Sequence, residues 1–433
     1  LARRGEKVKN THNRAAKYHR HEILLDQLMT TPSLKRSLSL PLLTFYGLGT
    51  IIGAGIYVLI GVVAGKAGMF TPLSFLLAAI IAAFTAFSYA ELSSRLPRSA
   101  GEAVYIQEAF HRRWLSRLTG GSVVVIGVVS SATIANGFVG YLDTFIELPH
   151  WLAVTGLIII LGLIAAWGIS QSVWLATLIT LVEIGGLVYV ILVGGESLLH
   201  LPLRWTEFIP PLTAESWRGI FIGAFLAFYA FIGFEDMVNV AEEVREAPRV
   251  LPRAIILALI ISTLCYLSIA IVAVLAVPVG ELAHSQAPLA TVLQSSGHGH
   301  TLLISAIGII AVINGALIQI IMASRVLYGM GNTHLVPALL ARINPRTRTP
   351  LLATLLVTVA ILALALWLPL VTLAQLTSII TLAVFTSVNI ALIQLKRRNE
   401  HPSAFINIPR WVPWFGAGIC LFFLFFQLVD LVQ

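Results

Sequence analysis

Two stretches decide the fold: GLGTIIGAGIYVLIG, residues 47–61, and AFLAFYAFIGFEDMVNVAEEV, residues 224–244. Both belong to runs of the kind that cross a bilayer, for which about 20 mostly apolar residues suffice. Both also carry residues that such a run should avoid. Gly47, Gly49, Gly53, Gly55 and Gly61 crowd the first, although glycine costs about 1 kcal/mol relative to alanine inside a helix. Small residues of this kind serve close helix packing, or they mark an unwound break whose bare amides line a cavity. The tight Gly53-Ala54-Gly55 triplet favours a break. In the second stretch Gly233 sits among aromatics, and Glu235 and Asp236 follow at once. Each acid costs about 3 kcal/mol at membrane depth on a lenient scale. The pair is expected to face a polar cavity, a cation or a proton path.

The rest of the chain fits a membrane bundle. Of 433 residues, 58% are hydrophobic and 11% charged, against about 25% charged in soluble domains. Apolar runs fall at Leu42–Ala64, Pro72–Ser93, Gly121–Phe145, Trp151–Gly168, Val173–Gly194, Trp217–Val240, Ala254–Val277, Thr301–Leu327, Leu351–Leu368, Val371–Leu395 and Trp411–Val432. These eleven are numbered spans one to eleven. With the N-terminus in the cytoplasm, Lys66, Arg204 and Arg218 fall outside and the other 25 of the 28 lysines and arginines fall inside, as the positive-inside rule requires. The net charge of +8 thus serves orientation, and no nucleic-acid partner is expected. The expected domains are a basic cytoplasmic tail (residues 1–40), spans one to five (41–195), spans six to ten (217–395) and an additional helix (411–433). The tail is read as solvated, with weak attraction to anionic lipid. Polar and basic throughout, it holds no apolar core of a cleavable signal peptide. Cys265 and Cys420 lie in separate apolar runs and suggest no disulfide or metal site.

Other motifs fail on spacing. GVVAGKAG, residues 61–68, lacks the hydroxyl residue that follows the lysine of a phosphate loop. HEILL at His21 lacks the second histidine of a zinc helix, and His298 and His300 have no third ligand nearby. No cofactor, metal or enzyme constellation is therefore expected.

Spans one and six, both interrupted, cross in opposite directions. Corresponding breaks in two inverted halves point to a transporter site. GTIIGAGIYV at 49–58, SYAELSSRLPRSAGEAVYI at 88–106, AFIGFEDMVNVAEEV at 230–244, EAPRVLPRAI at 246–255, SRVLYGMGN at 324–332 and PRTRTP at 345–350 together resemble the amino acid–polyamine–organocation superfamily, and its cationic-amino-acid-transporter-like branch in particular. The resemblance covers most of the chain from Pro41 onward. It implies an all-α integral membrane protein of leucine-transporter-type fold: a five-plus-five inverted repeat with broken helices one and six, plus at least one extra C-terminal helix. It implies alternating access to an amino acid or related amine in the plasma membrane. It also implies that Gly53, Ala54 and Gly55, with Ile51 just before, hold the substrate carboxylate, that the carbonyls of Phe231 and Ile232 leading to Gly233 hold its ammonium, and that Tyr229 covers the site. Ser131 is the candidate from span three.

Glu183 is the only charge in span five. Some proton-coupled relatives carry a lysine at the matching position, so the sign is reversed here. A carboxyl buried there favours its neutral form and is expected to load and release a proton. The alternatives are binding another cation or a substrate amine, or merely joining the repeats through hydrogen bonds. Glu235 is the second coupling candidate. Glu242 and Glu243, near Arg245 and Arg249, read as a solvated loop network with a cytoplasmic gate as alternative, and Glu91 and Glu102 read the same way. The expected activity is proton-coupled symport; the alternatives are exchange, a channel, or a membrane receptor that keeps the fold and moves nothing. Oligomeric state is not readable from these residues.

Overall fold

The computed structural model describes residues 36–98, 101–167, 173–297, 299–332, 336–398 and 404–432. The basic tail before residue 36, His298 and the last residue lie outside them, as does the side chain of Ala54. The chain divides into a unit of residues 1–37 and a unit Leu38–Gln433, which holds all the spans.

The larger unit is helical, with one isolated main-chain bridge, Leu38 to Val244, among the described residues. Each of the eleven apolar runs corresponds to a helix: Leu40–Ala67, Thr71–Arg95, Arg113–Leu142, His150–Trp167, Val173–Gly194, Ala214–Phe228 with its 3₁₀ continuations, Ala247–Ala276, Thr301–Asn332, Leu351–Trp367, Leu370–Arg398 and Trp411–Val432. Nine stretches among the described residues are long and apolar enough to cross a membrane; one of them, Leu40–Arg95, joins spans one and two, and the shorter apolar helix Leu351–Trp367 stands beside the nine. Helices are what such sequences must form, because lipid offers no partner for a bare amide or carbonyl. Prolines open spans one, two and seven, where a missing N–H costs nothing. Gly68, at φ 60°, ends span one. Several helices overrun the apolar runs: span three begins at Arg113, and a ten-residue helix, Gly101–Phe110, occupies the preceding segment.

Span three packs along span eight, span two along span seven, span one against span six, and span four against span nine. In these four pairs the partner is the helix five spans further on; span one also packs along span seven, and span ten along spans three and eleven. Large apolar side chains such as Leu163, Leu192 and Phe425 stay exposed on the outer spans, as a lipid-facing surface would have them.

Glu91 and Glu102 are buried, which corrects the expectation that they belong to a solvated loop network. The Glu91 side chain is fully covered and accepts from Lys396 Nζ at 2.8 Å and Arg95 Nη2 at 2.5 Å. Its Oε2 also accepts from the Ile408 N–H at 2.9 Å. The cluster ties the end of span two to the end of span ten and the segment beyond it. Both cations are nearly buried, with 6% and 7% of their side chains exposed. Removing one partner of a buried ion pair costs up to about 3–5 kcal/mol, and here one carboxylate serves two nearly buried cations, although Lys396 also donates to Asn407 and the Ile408 carbonyl. Glu91→Ala should therefore lower the thermal unfolding midpoint of the detergent-purified protein sharply.

Candidate substrate site

Both expected breaks are present. Span one leaves helical geometry at Gly53, with φ −22° and ψ −131°. Span six stops being α-helical at Phe228, passes through Ile232 in extended geometry, and turns at Gly233 with φ 130°. Only glycine adopts that φ readily. Space demands it too: a Cβ at Gly233 would lie 2.5 Å from the Thr50 carbonyl oxygen, and one at Gly55 would lie 2.6 Å from the Ala230 Cα. Glycines on both helices thus let the breaks meet backbone to backbone.

A break strands carbonyls and amides that the i→i−4 pattern would have paired. Side chains take up several of them. The Tyr266 hydroxyl reaches the Ile51 carbonyl at 2.8 Å and the Ala230 carbonyl at 3.0 Å, so span seven is tied to both breaks. The Thr50 hydroxyl lies 2.9 Å from the Gly233 carbonyl. The Gly233 N–H donates to Glu235 Oε2 at 2.8 Å. Glu235 therefore caps the second half of its own span.

Between the breaks lies a cavity of about 20 Å³. It holds a water-sized sphere, so an amino acid requires the walls to part. Thr50, Ile51, Gly53 and Gly55 line it from span one, Tyr229 and Ile232 from span six, Ser130 and Ile134 from span three, and Gly315, Ile318 and Gln319 from span eight. Of the residues expected from sequence, Ile51, Gly53, Gly55, Tyr229 and Ile232 are brought together here. Phe231 and Gly233 are not lining residues: Phe231 packs edge-on to the Tyr266 ring. Ser131 is displaced by its neighbour, because its hydroxyl turns to the Ala316 carbonyl at 3.3 Å. Ser130 faces the cavity instead, 3.0 Å from the Tyr229 hydroxyl. Adjacent helix positions point about 100° apart, and two serines in a row carry no mark of which one faces inward.

Glu183 stands apart from this cavity and is fully buried. Its Oε1 accepts from Asn314 Nδ2 at 3.1 Å, while Oε2 has no partner among the described residues. Its backbone carbonyl accepts from the Tyr57 hydroxyl at 2.7 Å, and the Tyr57 carbonyl accepts from Tyr141 at 2.6 Å. Glu183 is thereby linked to the half of span one beyond the break. Asn314 and Gln319 are not among the residues expected from sequence. Their signal is nonetheless present there: polar side chains in an otherwise apolar span face protein or cavity, not lipid.

A second cavity, of about 10 Å³, gathers Glu102, Glu235 and Asp236. Gln319 lines both cavities, and its Nε2 donates to Asp236 Oδ2 at 3.2 Å. Glu102, on the helix before span three, accepts from the Tyr89 hydroxyl at 3.1 Å. Burial pushes the Glu102 carboxyl up to about 7, with the backbone and Tyr89 hydrogen bonds opposing in part. The unfolded chain loses this proton in the usual carboxylate range near 4.5, so the folded state binds more protons between there and about 7. Folding stability should therefore fall as pH rises through that window. Glu102→Gln should flatten that slope in unfolding midpoints taken from pH 4.5 to pH 8.

Comparison with known proteins places this geometry in a family. The chain matches the amino acid permease model over residues 38–433 and belongs to that family. It is 30% identical to the methylthioribose transporter of Bacillus subtilis (strain 168) over 416 residues, which is 91% of this chain and 88% of the relative. It is 29% identical to the branched-chain amino acid permease BcaP of the same organism, over 91% of this chain and 93% of that protein. It is 31% identical to the vacuolar cationic amino acid transporter 4 of Arabidopsis thaliana, over 84% of this chain and 64% of that protein. The family and these relatives are transporters, not enzymes, and the chain is a multi-pass membrane protein of the permease kind.

Proposed function

We propose that this chain is a secondary active permease that carries an amino acid or related amine by alternating access, coupled to protons. The observation that carries the reading is the meeting of two helix breaks, at Gly53 and at Ile232–Gly233, around one cavity. Half-helix ends there offer amides to a carboxylate and carbonyls to an ammonium. In this reading Gly53, Ala54 and Gly55 receive the carboxylate, the carbonyls before Gly233 receive the amine, and Tyr229, held by Ser130, covers the pair. The helix pairing one with six, two with seven, three with eight and four with nine supports a five-plus-five repeat, since helices related by such a repeat recur five spans on. Rocking of spans one, two, six and seven against the rest would widen the cavity. Glu183 is the coupling group, placed beside the moving half of span one by Tyr57. Two of the three relatives described above are named for amino acids, one branched-chain and one cationic, which supports amino acids as cargo, while the third is named for methylthioribose. In this reading the permease sits in the plasma membrane, as its likeness to bacterial permeases supports, with its N-terminus in the cytoplasm, as the distribution of lysine and arginine supports.

Purified protein in liposomes tests this. Uptake of leucine or lysine should rise when an inward proton gradient is imposed, and counterflow should persist without one. Absence of flux for any amino acid or amine under both conditions would overturn the reading. Counterflow with no response to the gradient would make the protein an exchanger.

A further inference from the structure

The second cavity has a donor and acceptor balance unlike that of the first. Three carboxyl groups, on Glu102, Glu235 and Asp236, line it, and no lysine or arginine among the described residues does. They come from separate elements: the helix Gly101–Phe110 and the second half of span six. Two further polar atoms in the same wall have no partner among the described residues. Thr381 Oγ1 of span ten is fully buried, and Gln319 Oε1 belongs to a side chain only 7% exposed. A buried hydroxyl and a buried amide oxygen left unpaired are costly, and the three carboxyl groups, which accept from Tyr89, the Gly233 N–H and Gln319, have further acceptor capacity beside them. The wall is rich in acceptors, so its complement is a small group rich in donors and positively charged. About 10 Å³ is room for one water-sized group, which an ammonium head matches and a guanidinium exceeds. Among the described residues no group of three His, Cys, Asp or Glu is placed to hold a metal ion, which argues for a hydrogen-bonding cation.

We propose that this cavity is a second binding site, for a primary ammonium group, separated from the central cavity by the side chain of Gln319. An ammonium there donates to the carboxylates and to Gln319 Oε1, while Thr381 turns its hydroxyl to suit. The group can be a free alkylamine, or the far end of a substrate whose head occupies the central cavity. The shared wall at Gln319 puts the two cavities within reach of one extended side chain.

The probe is methylammonium chloride, added to the whole purified chain in nanodiscs at pH 8, with thermal unfolding as readout. Tetramethylammonium chloride, equally charged but without N–H donors, is the control. Methylammonium should raise the unfolding midpoint in a saturable way and tetramethylammonium should not. Glu102→Gln and Asp236→Asn should each weaken apparent binding about tenfold, the usual scale for losing one charge-assisted bond. Equal shifts from both salts, or wild-type binding in both variants, would overturn the proposal. Should either variant fail to fold, Thr381→Val decides: it removes one hydroxyl, and weaker methylammonium binding supports the site while unchanged binding overturns it. Competition separates the two sources. Displacement by lysine but not by leucine assigns the cavity to the far end of a basic substrate; displacement by neither assigns it to a separate amine. No arm reads transport, so the site stands or falls apart from the permease reading.

Discussion

Glu183→Gln should abolish gradient-driven accumulation in liposomes while sparing exchange. The substitution keeps the shape and the acceptor: an amide oxygen at the Oε1 position still takes the Asn314 Nδ2 donation seen at 3.1 Å. What it removes is the acidic group, whose Oε2 is buried without a partner among the described residues. A carboxyl group can take up and release a proton, and a side-chain amide cannot. One pH unit of gradient drives about tenfold accumulation at one proton per substrate, so the wild type should show a ratio of that order and the variant a ratio near one. The measurement is labelled substrate inside the vesicle at steady state, with counterflow as the companion. Unchanged accumulation would remove Glu183 from coupling.

Gly233→Ala should reduce uptake about tenfold or more, because a loss of about 1.4 kcal/mol is already tenfold. The residue sits at φ 130°, and a methyl group there meets the Thr50 carbonyl oxygen at 2.5 Å. Backbone strain of this kind costs about 1–3 kcal/mol by itself. Relief requires span six to back away from span one, which pulls Ile232 from the cavity wall and breaks the Thr50 hydroxyl contact to the Gly233 carbonyl. Gly156→Ala is the control, since nothing lies within 4 Å of a Cβ there. Initial uptake rates and the unfolding midpoint, read together, distinguish a blocked site from a lost fold.

The broken spans are legible in the sequence because their signals are local: crowded glycines in one span, and a glycine with two acids in the other, each contradict a uniform membrane helix. What lies beyond reach depends on helix phase and on partners distant in sequence. Ser131 is expected where Ser130 lines the cavity, a difference of one helical step. Glu102 reads as a loop residue because it stands in a charged segment, yet Tyr89 and the second half of span six cover it. Glu91 reads as solvated for the same reason, and its partner Lys396 is 305 residues away in a different basic cluster. Tyr266 gives no signal as a single tyrosine in an apolar run, although its hydroxyl serves both breaks.

The bridge between Leu38 and Val244 has a bearing on evolution as well as on motion. Leu38 donates its N–H to the Glu243 carbonyl at 3.0 Å, and Arg245 donates to the Leu38 carbonyl at 3.0 Å. The strap is main chain alone, so it sews the entrance of span one to the exit of span six without calling on any side chain. The two hydrogen bonds themselves ask only for an N–H and a carbonyl at residues 38 and 245, which bars proline there, while the Leu38 side chain is separately fixed by its place in the core. If spans one and six rock as a unit in the proposed cycle, this main-chain fastening yokes them through bonds that side-chain substitution reaches only indirectly.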